Sequence, residues 1–179
     1  PRGSGCAFVR SGINIFRVPR GGGQEQNSRA GAEHGGGIAG FGAAAEAAQR
    51  DLANGEWDRV EEMRNSLEEV LKNAAPDLII FGEAAPRLPN TSCFAIPGWR
   101  GETQVMQMDL AGFAISAGSA CSSGKVNKAS RVLLAMGFDD VTASSAVRVS
   151  MGPTTTKAEV TAFADAWIGA YRRWKAKAA

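Results

Sequence analysis

The residue best suited to chemistry in this sequence is Cys121, which lies in the segment SAGSACSSGKV at positions 116–126. A structural cysteine packs as a small apolar side chain among apolar neighbours, but the residues next to Cys121 are serine, glycine and alanine. A reactive thiol needs solvent access and freedom to reach a substrate. Because a thiol is mostly protonated at neutral pH, it also needs a nearby positive charge or base, and Lys125 is close in sequence. The segment therefore favours a nucleophilic cysteine.

An arginine in a short apolar stretch is the second candidate for chemistry. In AVRVSM, at positions 146–151, strand alternation places Val147 and Val149 on one face and Arg148 on the other. An arginine held on a strand can bind a carboxylate through two parallel hydrogen bonds. It can equally be a solvated side chain, and the residues alone leave both interpretations open.

Two further patterns are weaker indicators of function. His34 is the only histidine, so any Cys–His or Ser–His pair within the chain must use it, but its polar surroundings favour a solvated side chain. Gly35-x-Gly37-x-x-Gly40 matches the dinucleotide-binding pattern without the buried strand that should precede it. Close packing or a tight turn at a helix start explains these glycines better.

Composition excludes several classes of protein. The chain has 179 residues, 44% of them hydrophobic, and 20 basic against 18 acidic residues give a net charge of +2. This balance argues against a nucleic-acid partner, and without an apolar run of 18 residues we expect no membrane span. The three cysteines are far apart, so we expect neither a disulfide framework nor a metal site, and a cytoplasmic setting. Cys6 and Cys93, among apolar residues, are interpreted as core side chains.

The first 75 residues suggest two short strands followed by two helices. The strands are expected at 6–9 and 13–16, and a glycine-rich polar loop separates them from the helices. The first helix, 38–53, is rich in alanine. The second, 56–73, has apolar residues at spacings of three and four; these are Val60, Met63, Leu67, Val70 and Leu71.

Residues 76–179 predict a domain of alternating short strands and helices. Strands are expected at 78–81, 92–96, 113–116 and 146–151, with helical turns between 101 and 112 and a short helix that ends at Gly137. Thr156 and Glu159 form a predicted capping box for a final helix. One face of this helix should be apolar; it carries Val160, Phe163, Ala164, Trp167, Ile168 and Tyr171.

Four stretches in order give a specific resemblance. They are GGGQE…RAG…GIAGFGAAAEAA, RLPNT, SAGSACSSGKV…SRVLLAMG and VRVSMGPTTTKAEV. Together they resemble the C-terminal half of the pyridoxal-phosphate-dependent cysteine desulfurases of the class V aminotransferase family, in the group with an extended catalytic loop. The resemblance implies an α/β protein of the fold-type I pyridoxal-phosphate transferases, with α+β organisation in its C-terminal part. It implies three parts: 1–36 from the end of the large cofactor-binding domain, 37–75 as connecting helices, and 76–179 as the small domain.

The resemblance also implies a reaction. In such enzymes L-cysteine forms a Schiff base with the cofactor, and the loop cysteine, here Cys121, attacks the substrate sulfur as a thiolate. Alanine leaves, and the persulfide is passed to an acceptor or scaffold protein for iron–sulfur cluster or thio-cofactor assembly. Arg148 corresponds to the residue that holds the substrate carboxylate, and the enzymes are homodimers. The loop at 117–126 is expected to be poorly ordered.

The sequence departs from this family at several positions. Gln26 and Asn27 replace the usual Arg-Gly, and Ala32 replaces a threonine that would contact the cofactor phosphate from the neighbouring subunit. No lysine precedes Lys72, whereas the family's cofactor lysine would lie before Pro1. We therefore expect a C-terminal portion that, alone, neither binds pyridoxal phosphate nor turns over L-cysteine. The alternative is a non-catalytic remnant that relays sulfur or binds a partner.

Overall fold

The computed structural model describes residues 2–13, 21–117 and 129–178. The chain forms two compact units, Pro1–Asn54 and Gly55–Ala179. The division into 1–36, 37–75 and 76–179 stays a prediction, although the structure places the second long helix in the same unit as the sheet.

The first unit contains a short turn and one long helix. The turn α1 covers Gln24–Asn27 and the helix α2 covers Gly35–Ala53, which confirms the predicted alanine-rich helix. Gly37 is buried, and a Cβ there would collide with the side chains of Ser4 and His34. Close packing therefore accounts for this glycine.

The predicted strand at 6–9 is wrong. These residues have no regular structure, and no described strand pairs with them. Phe8 is 97% exposed, and Cys6 is exposed rather than packed in a core. A short strand is stable only beside a hydrogen-bonded neighbour, which the sequence alone does not reveal. The second predicted strand, 13–16, lies almost wholly outside the described residues.

In the second unit, the helix α3 runs over Glu56–Ala74. It begins after Gly55, whose φ of 72° is in the left-handed region that favours glycine. The prediction that Val70 lies on the buried face is wrong, since Val70 is exposed, whereas Arg64 and Glu68 are buried. The apolar face of α3 therefore includes two charged residues, which belong to a polar network described below.

A four-stranded antiparallel sheet forms the centre of the second unit. The strands are β1 (Ile79–Ile80), β2 (Thr91–Ala95), β3 (Ser116–Ala117) and β4 (Ala146–Ser150), in the order β1-β2-β4-β3. β4 pairs with β2 over five residues and with β3 over two. β3 starts at the last residue of its predicted range, because Phe113 and Ile115 pack against the core instead of pairing.

The described part of this unit also contains the helices α4 (Gly101–Leu110), α5 (Arg131–Ala135), α6 (Asp140–Ser144) and α7 (Lys157–Ala178). The capping box before α7 is confirmed: the Thr156 backbone N–H donates to Glu159 Oε2 at 2.8 Å, and the Glu159 N–H donates to Thr156 Oγ1 at 3.2 Å. Sequence reasoning missed α6, although Asp139 caps its start by accepting from the Thr142 N–H at 2.7 Å.

The main core lies between α3, α7 and one face of the sheet, where Val147 and Val149 are buried. It includes an aromatic cluster in which Trp167 and Tyr171 stack with ring centroids 5.7 Å apart. The buried Gln104 of α4 accepts a hydrogen bond from Trp167 Nε1 at 3.0 Å. Among the described residues, no helix is long and apolar enough to cross a bilayer.

Candidate functional site

Arg148 occupies the middle of β4, which has a neighbouring strand on each side. Its ladder partners are Cys93 on β2 and Ser116 on β3. Val147 and Val149 are buried on the opposite face, while Arg148 is exposed, which confirms the predicted alternation. No described residue forms an ion pair or hydrogen bond with its guanidinium group. Among the described residues, nothing therefore compensates the positive charge of Arg148.

The sheet face that carries Arg148 forms the floor of an open cavity of about 400 Å³. The floor consists of two ladder pairs, Thr91 with Ser150 and Cys93 with Arg148. The remaining lining residues are Phe81, Arg87 and Leu88. A cavity with apolar walls and one uncompensated guanidinium is suited to a small anion that also has an apolar part.

Cys93 contributes the thiol on this floor. Its side chain is half-buried and packs against a small core that contains Phe81 and Leu133, in agreement with its interpretation as a packing residue. Burial raises the pKa of this thiol, and the positive charge of Arg148 offsets the increase only in part. At neutral pH the thiol is therefore protonated, and it does not neutralise Arg148.

A buried polar network holds one wall of the cavity. The Glu68 carboxylate on α3 accepts two hydrogen bonds from Arg87, at 2.7 and 2.8 Å, and one from the Ser92 hydroxyl at 2.7 Å. Arg64, also on α3, donates to the backbone carbonyl of Leu88 at 3.0 Å. These bonds fix the segment that leads into β2.

Sequence reasoning did not identify this network. Its signal was weak: Arg64 and Glu68 occupy positions i and i+4 among apolar residues of α3, and Arg87 belongs to the RLPNT motif. Burial of a charged pair is stable only with good geometry and further hydrogen bonds. The two-point pairing of Glu68 with Arg87, supplemented by Ser92, meets that condition.

The other predicted site residues fall outside the described residues or in the first unit. Cys121 and Lys125 fall in 118–128, outside the described residues, as does nearly all of the loop expected to be poorly ordered. Ala32 and His34 belong to the first unit and are exposed; for His34 this agrees with a solvated side chain. Within the described ranges, no group of three His, Cys, Asp or Glu side chains could hold a metal ion.

None of the four lysines among the described residues lines the cavity that contains Arg148. Lys72 is paired with Glu83, and Lys175 with Asp77. Ala32 has no hydroxyl for a phosphate.

A model of the aminotransferase class-V family matches residues 20–163. The chain therefore belongs to this family, and the family implies pyridoxal phosphate in the complete enzyme.

Individual relatives of the chain are cysteine desulfurases. The chain is 38% identical to a cysteine desulfurase of Cereibacter sphaeroides over 89% of its length, and 38% identical to one of Gluconacetobacter diazotrophicus over 94%. A solved NifS-like protein of Rickettsia africae superposes with a TM-score of 0.77 at 29% identity, covering 89% of this chain. These likenesses confirm the expected transferase fold. The chain spans about 40% of the length of these proteins.

Proposed function

We propose that the complete protein is a cysteine desulfurase, in which this chain holds the substrate carboxylate and accepts the sulfur. The observation that carries the proposal is Arg148, whose guanidinium lies on the cavity floor without a partner among the described residues. The similarity to cysteine desulfurases supplies the reaction class.

Arg148 is suited to bind the carboxylate of L-cysteine. Its five N–H donors match the geometry of a carboxylate, and a strand in the middle of a sheet restricts their position. Because Cys93 is protonated, the charge of Arg148 remains available to the substrate. Phe81 and Leu88 give part of the cavity an apolar lining, which suits the uncharged part of a small amino acid.

Cys121 is the proposed sulfur acceptor, and the chain length allows the role. Ala117 pairs with Val147, next to Arg148, and Cys121 follows Ala117 by four residues. Four residues of extended chain reach at most about 14 Å. In the overall reaction, the carbon–sulfur bond of L-cysteine breaks, a sulfur–sulfur bond forms on Cys121, and the carbon gains a proton to give L-alanine. Sulfur is oxidised and carbon reduced, so no external oxidant is needed.

The remaining parts of the proposal concern the whole protein. We propose a cytoplasmic homodimer that passes the persulfide to a sulfur-acceptor or scaffold protein. Pyridoxal phosphate would supply the electron-withdrawing chemistry, bound by groups beyond the described residues. The motifs shared with cysteine desulfurases support these statements.

A second candidate is a non-catalytic sulfur relay or partner-binding module, which the lack of a cavity-lining lysine among the described residues favours for the chain by itself. Alanine release from L-cysteine by the whole protein separates the two, because a relay releases none. From the 179-residue chain alone we expect no borohydride-reducible attachment of pyridoxal phosphate and no alanine release. Alanine release by that chain would show that it is catalytic by itself.

Replacement of Cys121 tests the main proposal. In the whole protein, Cys121→Ser should abolish persulfide formation from ³⁵S-labelled L-cysteine while the cofactor absorbance remains, because a hydroxyl is a much poorer nucleophile toward sulfur. Cys93→Ser is the matched control and should keep labelled persulfide. Undiminished persulfide in Cys121→Ser would contradict the proposal.

A further inference from the structure

Two arginines line the same cavity, but only one has an uncompensated charge. Arg87 is 17% exposed and makes a two-point ion pair with Glu68, which is 7% exposed. Arg148 has no such partner among the described residues. The described lining contains no other cation and no carboxylate. The anion-binding character of the cavity therefore depends on which of the two guanidinium groups is neutralised.

Glu68 determines which of the two arginines is neutralised. Its two oxygens accept three short hydrogen bonds, two from Arg87 and one from Ser92, so the carboxylate is held in one orientation. Charge-assisted hydrogen bonds of this geometry are among the stronger ones in proteins. The backbone bond from Arg64 to Leu88 holds the residue that follows Arg87. Arg87 is thus fixed at the wall and has its charge satisfied from α3.

We propose that Glu68 is a specificity-determining residue: by neutralising Arg87 it leaves Arg148 as the one uncompensated cation of the described cavity lining, so the cavity selects amino acids with a single carboxylate. A ligand with a second carboxylate gains no second charge partner and must still desolvate that group. This inference rests on the proposed function for the identity of the substrate, but the anion selectivity is a property of the cavity itself.

The test compares acetate with the dicarboxylates malonate, succinate and glutarate, titrated calorimetrically into the whole protein. Wild type should bind acetate more tightly than any of the three dicarboxylates, because the second carboxylate loses water without gaining a charge partner. Glu68→Gln keeps the size of the side chain but removes its charge and one of its two acceptor oxygens. In this variant the dissociation constant of at least one dicarboxylate should fall by about tenfold, which corresponds to one charge-assisted hydrogen bond. The dissociation constant of acetate should change much less. The double variant Glu68→Gln/Arg87→Gln should lose this gain.

Two further variants keep the test decisive. Glu56→Gln is the matched control, because Glu56 also pairs with an arginine of α3, at 3.2 Å, but neither lines the cavity nor is among the charges that act on Arg87. The selectivity of this variant should equal that of wild type. If Glu68→Gln does not fold, Arg87→Gln provides the test by itself. Because the charge of Arg87 is already neutralised by Glu68, the selectivity of Arg87→Gln should equal that of wild type. A loss of dicarboxylate binding in this variant overturns the inference.

Other outcomes also overturn it. These are a wild-type preference for dicarboxylates, an equal effect of Glu68→Gln on acetate and dicarboxylates, no effect at all, or a gain that persists in the double variant. Alanine release from L-cysteine, measured on the same wild-type sample, tests the proposed function separately. If no alanine is released, the proposed function is refuted, and the titrations still test the anion selectivity of the cavity.

Discussion

Arg148 and Cys93 are direct ladder partners across β2 and β4, on the sheet face that forms the cavity floor. Side chains at such positions are neighbours on one face of a sheet. The pairing places a permanent cation beside a thiol that burial keeps protonated. The floor of the cavity therefore has one charge, and it is positive.

Replacement of Arg148 should weaken substrate binding in the whole protein. Arg148→Gln removes a two-point carboxylate contact and should lower kcat/KM for L-cysteine by about 10²-fold, mainly through KM. Arg148→Lys keeps the charge but not the planar guanidinium group, so its kcat/KM should lie between those of wild type and Arg148→Gln. Steady-state alanine release measures this, with Arg172→Gln, an exposed arginine of α7, as control. An unchanged KM in a folded Arg148→Gln protein would contradict the assignment.

Cys93 should react slowly with alkylating reagents. Because burial raises its pKa, little thiolate exists at neutral pH, and alkylation requires the thiolate. Iodoacetamide should therefore modify Cys93 at least about tenfold more slowly than the exposed Cys6 at pH 7.5. Peptide mass spectrometry over time gives both rates in one sample, and the difference should vanish in denaturant. Equal rates in the folded protein would show that Cys93 is not protected.

Glu68 should make the fold sensitive to acid. Burial alone would raise the pKa of Glu68, but hydrogen bonds from Arg87 and Ser92 and the charges of Arg87 and Arg64 lower it below its ordinary value of 4.5. A carboxyl whose pKa is depressed in the folded state stabilises the fold above its unfolded pKa. That contribution is lost as the pH falls through the folded pKa.

The free energy of unfolding, from urea titrations, should therefore decrease as the pH is lowered from about 5 toward 3. This decrease should be smaller in Glu68→Gln, which has no proton to bind at this position. Glu102→Gln, on the exposed side of α4, serves as control and should follow wild type. Identical pH dependence in wild type and Glu68→Gln would show that this carboxyl does not contribute.

Gln104 should be important for stability although it touches no part of the cavity. Its amide donates to the Trp99 and Ser145 carbonyls at 2.9 and 3.0 Å and accepts from Trp167 Nε1. Gln104→Met would leave these three groups buried without partners and should destabilise the fold by about 3 kcal/mol or more.

Gln107 on the same helix gives the matched control. Its Oε1 is buried without a hydrogen-bond partner among the described residues, so Gln107→Met should be close to neutral. Thermal or urea unfolding of both variants measures the difference. A loss of stability in Gln107→Met as large as that in Gln104→Met would refute the explanation by hydrogen bonding.

Local patterns in the sequence predicted most elements of the second unit. The alternation of residues in β4 predicted that Arg148 lies on the exposed face, and the capping box of Thr156 and Glu159 predicted the start of α7. Both features depend only on residues close in sequence. The strand at 6–9 was wrong since a strand needs a partner that local sequence does not reveal. The Glu68–Arg87 pair was missed because the contact depends on how the segment after β1 returns to α3.

β4 is held unequally on its two sides. Five residue pairs join it to β2, but only two join it to β3, and the free energy of local opening is lower for the shorter ladder. Amide hydrogen exchange should therefore be faster at Ser116 and Ala117 than at Phe94. When β3 separates, β2 still holds Arg148, while each released residue adds about 3.5 Å to the reach of the chain that leads to Cys121. In the proposed reaction, β4 would therefore hold Arg148 against the substrate, while β3 would lengthen the connection to Cys121.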